Sequence, residues 1–387
     1  MSLVHYLPII LPWLLYIIHS GEPALAKVPA LFVFGDSTVD TGNNNFISTV
    51  IKSDFAPYGR DLRGSSSNGQ PTGRFSNGRL AVDFISEAFG LPPLVSPYLD
   101  PNVSMSSLAT GACFASAGAG YDNATSDLFV SHPTHIVHAT SDDGLTMPRQ
   151  SRRLLCLQSV LSLWEELDYF KEYAAKLRSF LGDDKARETL SEALYIVSMG
   201  TNDFLENYYA VPQGHAAQSA TASEYGAYLL GVAESFVRAL HALGARKVDL
   251  NGLPPMGCLP MERRAVSGAC TEAYNSVARN FNAGVRDLVA RLDAELGEGG
   301  ARVVYGDVYS GVADVLADPA AYGFEDVGVG CCGTTGRFEM GYMCNQVGLL
   351  TCADAGKYAF WDAIHPTEHL HRVLAEKKMN TTLYIFQ

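Results

Sequence analysis

The sequence predicts an α/β protein in which helices cover both faces of a central parallel sheet. Short apolar runs that stop at turn residues alternate with longer segments of helical spacing, and this alternation is typical of parallel sheets. The predicted strands lie at 30–34, 193–199, 246–253 and 301–305, and the predicted helices at 80–89, 161–180, 225–243 and 272–296. The sequence has no 20–50-residue repeat and no Gly/Ser-rich linker, so one domain is expected.

The first predicted strand leads to the first candidate for chemistry. Residues 30–34 are apolar and run directly into Gly35, Asp36 and Ser37. Gly35 allows a sharp turn, and open α/β sheets bind ligands beyond the carboxyl ends of their strands. Ser37 is therefore either a nucleophile, if a base reaches it, or only the cap of a following helix.

Two further segments are expected near the same edge of the sheet. Residues 111–120 are rich in Gly and Ala, which lets the backbone approach a ligand or the Ser37 turn. The strand at 193–199 leads to Asn202, whose side-chain NH2 is able to donate to a developing oxyanion. The alternative for Asn202 is a turn former, a common role for Asn after a strand.

The predicted helices show clear periodicity and end signals. The helix at 80–89 stops at a Gly-Leu-Pro-Pro sequence. From 161 to 180 apolar residues recur every three or four positions and charged residues, among them Glu166, lie between them, as in an amphipathic helix that packs on a core. Thr271 is predicted to cap the helix at 272–296.

A histidine and an aspartate near the C-terminus form the second candidate for chemistry. Asp362 and His365 are three residues apart, a spacing that lets the carboxylate meet the imidazole, as an acyl-transfer triad requires. This pair alone arises by chance, but together with the early Gly-Asp-Ser it is a far stronger signal. His369 and His371 have no partner at that spacing and are expected on a helix surface.

Four short blocks follow one another along the chain, at 34–37 with 40–44, at 113–120, at 200–204 and at 360–368. With these blocks the sequence resembles a plant-type GDSL esterase/lipase of the SGNH hydrolase superfamily over nearly its whole length. The resemblance implies a three-layer α/β/α, flavodoxin-like fold with a central parallel sheet. It also implies a serine esterase or lipase. The sequence has neither a Gly-x-x-x-x-Gly-Lys motif nor a dinucleotide-binding fingerprint, so no cofactor is expected.

The same resemblance implies roles for individual residues. The residues that it points to are the catalytic Ser37, Asp362 and His365 and the oxyanion-hole residues Ser37, Gly118 and Asn202. Gly120 is the alternative to Gly118 as the residue whose backbone N–H donates to the oxyanion. Small-molecule, lipid or polymer esters are the expected substrates. Two alternatives are an acyltransferase with the same triad and a non-catalytic secreted binding protein.

Three aromatic residues, Tyr58, Phe75 and Tyr98, are candidates either for an acyl pocket or for packing beneath loops. Composition excludes other classes of partner. The formal net charge of -13 and the pI of about 5.2 argue against nucleic acid and against tight binding to anionic membranes. Neither Cys-x-x-Cys nor His-Glu-x-x-His occurs, and the tract with His132, His135 and His138 lacks a completing ligand, so a zinc site is not expected.

Residues 1–26 are predicted to be a signal peptide. Their apolar core, at 7–18, is too short and too broken by proline to span a bilayer, and Ala24-Leu25-Ala26 fits a cleavage site. Residues 27–387 are then one hydrolase domain of a secreted, extracellular monomer without a stable membrane anchor, of the cell wall or apoplast if the source is a plant. Residues of about 129–158 lose periodicity and are predicted to be an added surface loop or translated intron sequence.

Secretion makes the cysteines candidates for disulfides. The spacings suit local bonds of Cys258 with Cys270 and of Cys344 with Cys352, whereas the adjacent cysteines at 331 and 332 are not expected to bond to each other. The spacings alone do not determine the full connectivity. Three glycosylation sequons begin at Asn102, Asn123 and Asn380.

Overall fold

The computed structural model describes residues 28–63, 69–128, 159–210, 221–263, 268–333, 344 and 351–387. The predicted signal peptide and the predicted insertion at about 129–158 lie outside the described residues. The chain on the two sides of that insertion meets in space, because the Val160 N–H donates a hydrogen bond to the Ser126 carbonyl (3.3 Å).

Five parallel strands form the central sheet in the order β2-β1-β3-β4-β5. The strands are β1 Leu31–Gly35, β2 Gly111–Cys113, β3 Leu194–Ser198, β4 Lys247–Asn251 and β5 Arg302–Gly306. This is the strand order of flavodoxin-like sheets, which bind ligands beyond the carboxyl ends of β1 and β3, where the order reverses. The α/β fold with a parallel sheet is confirmed. β2 was not predicted as a strand, because three small residues carry little periodicity.

The two faces of the sheet belong to different hydrophobic cores. Phe32 and Phe34 of β1 pack in the larger core, and Leu31 and Val33 pack in the smaller one. Successive strand side chains point to opposite faces, so a strand that is covered on both sides must be apolar throughout. This explains the continuous apolar run that precedes Ser37.

The helices complete the two outer layers. They are α1 Ala81–Ala88, α2 Met105–Leu108, α3 Asn123–Ser126, α4 Leu163–Leu181, α5 Asp183–Glu192, α6 Ala222–Ala242, α7 Pro260–Arg263, α8 Glu272–Gly297, α9 Val308–Ala317 and α10 Glu368–Thr381. Side chains of α4, α6, α8 and α9 pack in the larger core, and side chains of α1 pack in the smaller one, whereas α10 contributes side chains to both. Thr271 precedes α8 but does not cap it as predicted, because its hydroxyl donates to the Glu262 carbonyl (3.0 Å).

A second, two-stranded parallel sheet was not predicted. It pairs β6 Asp326–Gly330 with β7 Tyr358–Phe360, and β7 leads directly into the segment that holds Asp362 and His365. The Cys331 N–H donates to the Phe360 carbonyl (3.0 Å). The small sheet therefore anchors the start of the histidine loop.

The disulfides differ in part from the prediction. Cys258 pairs with Cys270, as expected, and Cys331 and Cys332 do not bond to each other. The predicted bond of Cys344 with Cys352 is wrong, because Cys331 pairs with Cys352 and Cys332 with Cys344. The β6–β7 pairing brings the two adjacent cysteines within reach of different partners, which the spacings along the chain do not show.

Several surface features bear on the other sequence predictions. Asn102, Asn123 and Asn380 are exposed, and their glycosylation stays a prediction. Within the described ranges, no helix has the length and apolar character to cross a membrane. The same part of the chain contains no cluster of His, Cys, Asp and Glu arranged to hold a metal ion.

Candidate active site

The loops that follow β1, β2 and β3 meet at one edge of the sheet. Gly35 at the end of β1 is in register with Ser198 at the end of β3, and the Asp36 N–H donates to the Ser198 carbonyl (3.1 Å). On the other side, the Ser116 N–H donates to the Gly35 carbonyl (2.9 Å). The backbone around Ser37 is thus tied to the loops on both sides of it.

Three side chains form a continuous hydrogen-bonded row at this edge. The Oγ of Ser37 lies 2.8 Å from Nε2 of His365, and Nδ1 of His365 lies 2.8 and 2.9 Å from the two carboxylate oxygens of Asp362. Ser37, Asp362 and His365 are only 7%, 0% and 4% exposed. The nucleophile–base–carboxylate arrangement has the spacing that acyl transfer requires.

The carboxylate of Asp362 is satisfied by further donors. Its Oδ1 accepts the backbone N–H groups of Ile364 (2.9 Å) and His365 (2.8 Å), and its Oδ2 accepts the hydroxyl of Tyr58 (2.9 Å). The ring of Phe75 packs against the imidazole, with centroids 4.9 Å apart. Of the two roles expected for Tyr58 and Phe75, acyl pocket or packing beneath loops, the structure favours packing. Both side chains are buried beneath the site and support the Asp362–His365 pair.

The predicted oxyanion donors lie on loops of the same edge. Nδ2 of Asn202 donates to the Ala119 carbonyl (2.9 Å), which ties the loop after β3 to the residue next to Gly118 and leaves the second N–H of the amide available. Gly118 adopts φ 88°, which favours glycine. In the described parts of the chain, the N–H groups of Ser37 and Gly118 have no hydrogen-bond acceptor. At Gly120, a Cβ would come within 2.5 Å of the Asp203 carboxylate, so that glycine is required for packing.

The block at 40–44, to which the sequence assigned no role, holds the segment before Gly118. Nδ2 of Asn43 donates to the carbonyls of residues 113 (2.9 Å) and 115 (2.8 Å). Nδ2 of Asn44 donates to the Ala117 carbonyl (2.9 Å), and Asp40 accepts the Ala117 N–H (3.1 Å). Burial raises the pKa of Asp40 to about 6. These buried side chains position the backbone that carries Gly118.

Asp203 holds the segment that follows Gly118. Its carboxylate accepts the N–H groups of Tyr121 (2.8 Å) and Asp122 (2.9 Å) and the hydroxyl of Thr125 (2.7 Å). Burial raises the pKa of Asp203 to about 7. Asn202 and its neighbour therefore both bind the loop that follows Gly118. In the sequence, the only indication that Asp203 supports this loop is its position directly after Asn202.

The amphipathic helix α4 packs on the core as predicted, but Glu166 lies on its buried face and not among the exposed charged residues. It is fully buried, and its Oε2 accepts the N–H of Gly35, two residues before Ser37, at 2.9 Å. Burial raises the pKa of Glu166 well above its usual value, and the carboxylates of Asp40 and Asp36 act in the same direction. The signal was present in the sequence, since position 166 is three residues after Leu163 and therefore lies on the apolar face of the helix.

The two histidines after His365 are not both on the surface as expected. His371 is only 3% exposed, and burial lowers its pKa to about 3. α10 packs on α1, so positions one helical turn apart on that face are buried whatever their polarity. His369 is half-buried, and its Nδ1 lies 2.6 Å from the Gly356 carbonyl.

Comparison with known proteins identifies the family. The family model described as GDSL-like Lipase/Acylhydrolase matches residues 31–377. A GDSL esterase/lipase of Arabidopsis thaliana is 46% identical over 359 residues, which cover 92% of each chain, and a second is 46% identical over 365 residues, or 94% of this chain and 93% of the relative. A third is 45% identical over 91% of this chain and 90% of its own. The chain therefore belongs to the GDSL lipase/acylhydrolase family, and it is a carboxylic ester hydrolase for small-molecule or lipid esters.

Proposed function

We propose that this hydrolase cleaves its ester with Ser37 as nucleophile, His365 as general base and Asp362 as the residue that orients His365. The Ser37 oxygen attacks the ester carbonyl while its proton passes to Nε2 of His365. The protonated imidazole is stabilised by Asp362 and then gives the proton to the leaving alcohol, which departs from an acyl-enzyme. A water molecule, deprotonated by His365, attacks the acyl-enzyme and releases the acid and Ser37.

The negative charge that forms on the carbonyl oxygen needs donors. We assign this role to the N–H groups of Ser37 and Gly118 and to the side chain of Asn202. The two backbone N–H groups have no other acceptor in the described ranges, and the amide of Asn202 is oriented by its bond to Ala119. Such preorganised donors supply much of the rate enhancement in acyl transfer.

The observation that carries this proposal is the 2.8 Å separation of the Ser37 Oγ and the His365 Nε2, with Asp362 on the far side of the ring. Residues that are 328 positions apart in the chain meet at hydrogen-bond distance. A nucleophile and a base at this separation, with the base oriented by a third group, are the structural signature of an activated serine.

Substitution tests the assignment. We expect Ser37→Ala and His365→Ala each to lower kcat for p-nitrophenyl butanoate by a factor on the order of 10⁶. Ser179→Ala and His369→Ala are the matched controls, because Ser179 is exposed on α4 and His369 bonds to Gly356 rather than to Ser37. Wild-type turnover in Ser37→Ala or His365→Ala, with a folded protein by circular dichroism, would refute the triad.

We also propose that the protein is a secreted monomer with a mature start near Lys27. The Ala24-Leu25-Ala26 sequence and the disulfides among the described cysteines support secretion, because disulfides persist in oxidising compartments. N-terminal sequencing of protein from the medium of an expressing cell tests cleavage, and a start at Met1 would contradict it. Light scattering of the purified protein tests the oligomeric state.

A further inference from the structure

Glu206 is an acid near the candidate site to which the proposed mechanism gives no role. It lies four residues after Asn202, in a seven-residue π-helix, Asp203–Tyr209, that follows β3. Helical turns of this kind are rare and often occur at functional sites. Glu206 is partly exposed as a residue, but its Oε2 is buried and has no hydrogen-bond partner within the described ranges. A buried oxygen without a partner is costly and therefore requires an explanation.

The π-helix presents two polar faces. Asp203 and Asn207 are four residues apart, and both bond to the hydroxyl of Thr125, at 2.7 and 3.1 Å. Their face therefore packs on the loop that contains Thr125. Asn202 and Glu206 are also four residues apart and so share a neighbouring face. Because Asn202 belongs to the candidate site, this spacing places Glu206 one turn further along on the site's side of the helix.

The charges that act on Glu206 agree with this placement. The imidazole of His365 lowers the pKa of Glu206, and its effect exceeds the opposite effects of the carboxylates of Asp36 and Asp203. Electrostatic interactions weaken with distance, and Asp203 is only three residues away in the chain. The carboxyl of Glu206 therefore lies close to the base of the proposed triad.

Glu206 differs from the other buried acids around the site. Each of the others accepts a backbone N–H at 2.8–3.1 Å; these acids are Asp36, Asp40, Glu166 and Asp203. Those donors hold the side chains within the loops that carry the site. Among the described residues no donor reaches Oε2 of Glu206. This oxygen is therefore suited to a group that arrives with the substrate.

A hydroxyl group matches the carboxyl of Glu206 best. Burial raises the pKa of Glu206 to about 7, so the neutral acid and the carboxylate coexist near neutral pH. A hydroxyl both donates and accepts and pairs with either form, whereas an ammonium group pairs only with the carboxylate. An anionic group would be repelled by the carboxylates of Asp36 and Asp203, which already act on Glu206.

We propose that Glu206 binds a hydroxyl group of the substrate, and that the enzyme prefers esters whose acid or alcohol carries a hydroxyl close to the ester bond. The inference rests on the proposed triad, because the ester carbonyl must lie at Ser37 for a neighbouring hydroxyl to reach Glu206. Glu206 is then a specificity-determining residue that holds the substrate and takes no part in the proton transfer. Its loss is expected to lower kcat/KM for hydroxylated esters alone.

Two matched pairs of esters test the proposal. Ethyl butanoate is compared with 2-hydroxyethyl butanoate, which adds a hydroxyl to the alcohol, and with ethyl 3-hydroxybutanoate, which adds one to the acid. The hydroxyl preference is the kcat/KM of the hydroxylated ester divided by that of ethyl butanoate. For at least one pair, the preference of the wild type is expected to exceed that of Glu206→Leu about ten- to hundredfold, as for a hydrogen bond to a charged group. Glu206→Gln, which keeps an acceptor and a donor, should lie between them.

The pH dependence of the hydroxyl preference separates this role from a merely structural one. As Glu206 ionises around pH 7, its bond to a hydroxyl strengthens, so the wild-type preference should rise between pH 6 and 8. The preference of Glu206→Gln should stay constant over this range. The charged groups that act on Glu206 are His365, Asp36 and Asp203. They serve both esters of a pair, so their effect on the shared chemistry cancels in the ratio.

Glu188→Leu is the matched control, because Glu188 is exposed on α5. Its hydroxyl preference is expected to equal that of the wild type, and Glu206→Leu should keep wild-type kcat on p-nitrophenyl butanoate, which has no hydroxyl. Equal preferences in the wild type and Glu206→Leu for both pairs, or an equal fall in Glu188→Leu, would overturn the proposal. If Glu206→Leu does not fold, Glu206→Gln replaces it, and a preference equal to the wild type's at every pH would overturn the proposal. None of these results would touch the triad, which Ser37→Ala tests separately.

Discussion

Replacement of Glu166 tests whether this buried acid supports the turn that carries Ser37, the proposed nucleophile. Glu166 is fully buried, and its Oε2 accepts the Gly35 N–H at 2.9 Å. Burial raises the pKa of Glu166 well above its usual value, which favours the neutral acid over the carboxylate in the folded protein. Glu166→Gln keeps an acceptor oxygen and a neutral head group, whereas Glu166→Ala removes both.

The expected loss in Glu166→Ala follows from the contacts. The Gly35 N–H would be left without an acceptor, which costs about 1–3 kcal/mol, and the truncated side chain would leave a cavity that raises the total to about 3–5 kcal/mol. Because Gly35 is two residues before Ser37, we also expect kcat to fall by up to about 10²-fold through misplacement of the Ser37 oxygen.

The pH dependence of stability distinguishes the protonated acid from an ion. With a raised folded pKa, the folded state keeps a proton that the unfolded chain releases above about pH 4.5. The free energy of unfolding therefore falls by about 1.4 kcal/mol for each pH unit above 4.5, until the folded carboxyl also ionises. Gln does not ionise, so Glu166→Gln should gain stability relative to the wild type as the pH rises.

Urea unfolding with intact disulfides, followed by tryptophan fluorescence at pH 4.5, 5.5 and 6.5, measures this difference. Glu188→Gln is the control, because Glu188 is exposed on α5. Parallel stability curves for the wild type and Glu166→Gln would show that Glu166 is charged. Wild-type stability and kcat in Glu166→Ala would show that the bond to Gly35 does not support the turn.

Three more substitutions test other parts of the site. Asn202→Ala should lower kcat by about 10²–10³-fold with little change in KM, because it removes one of the proposed oxyanion donors. An unchanged kcat would exclude Asn202 from this role. Tyr58→Phe should lower kcat about tenfold, since the buried Asp362 carboxylate loses a hydrogen-bond donor. Tyr384→Phe, which alters an exposed side chain, is the control. An equal loss of kcat in Tyr384→Phe would contradict a specific effect of Tyr58. His371→Gln should flatten the fall in the free energy of unfolding as the pH is lowered from 6.5 to 4. In this range the unfolded chain binds a proton at His371 and the folded protein, in which the pKa of His371 is about 3, does not, so the wild type loses about 1.4 kcal/mol per pH unit. Unchanged urea curves would show that His371 is protonated in the folded protein.

Much of the fold was predictable because its signals are local. The apolar run before Ser37, the helical spacing after position 161 and the Asp362–His365 interval each lie within a few residues. β2 and the β6–β7 sheet were missed, because three-residue strands such as Gly111–Cys113 and Tyr358–Phe360 take their hydrogen bonds from distant partners. Their existence depends on neighbours and not on their own composition.

The candidate site shows the same division. The residue types at Ser37, Asn202 and His365 could be selected from the blocks that contain them. The burial of Glu166 and His371 was not predicted: Glu166 occupies a position on the apolar face of α4, but a charged or titratable side chain on a helix usually faces water. Both are buried because their helices pack closely on the sheet and on α1, and such packing is a property of the assembled layers.

By itself the sequence determined where the strands β1, β3, β4 and β5 and the helices α1, α4, α6 and α8 lie, which family the chain resembles and which side chains are able to do ester chemistry. The tertiary structure alone decided the strand order and the pairing of Cys331 with Cys352 and of Cys332 with Cys344. The physical reason is the distance along the chain over which each interaction acts. Propensity and periodicity act over a few residues, whereas a disulfide, a cavity or a buried acid depends on segments that meet only after the sheet has formed.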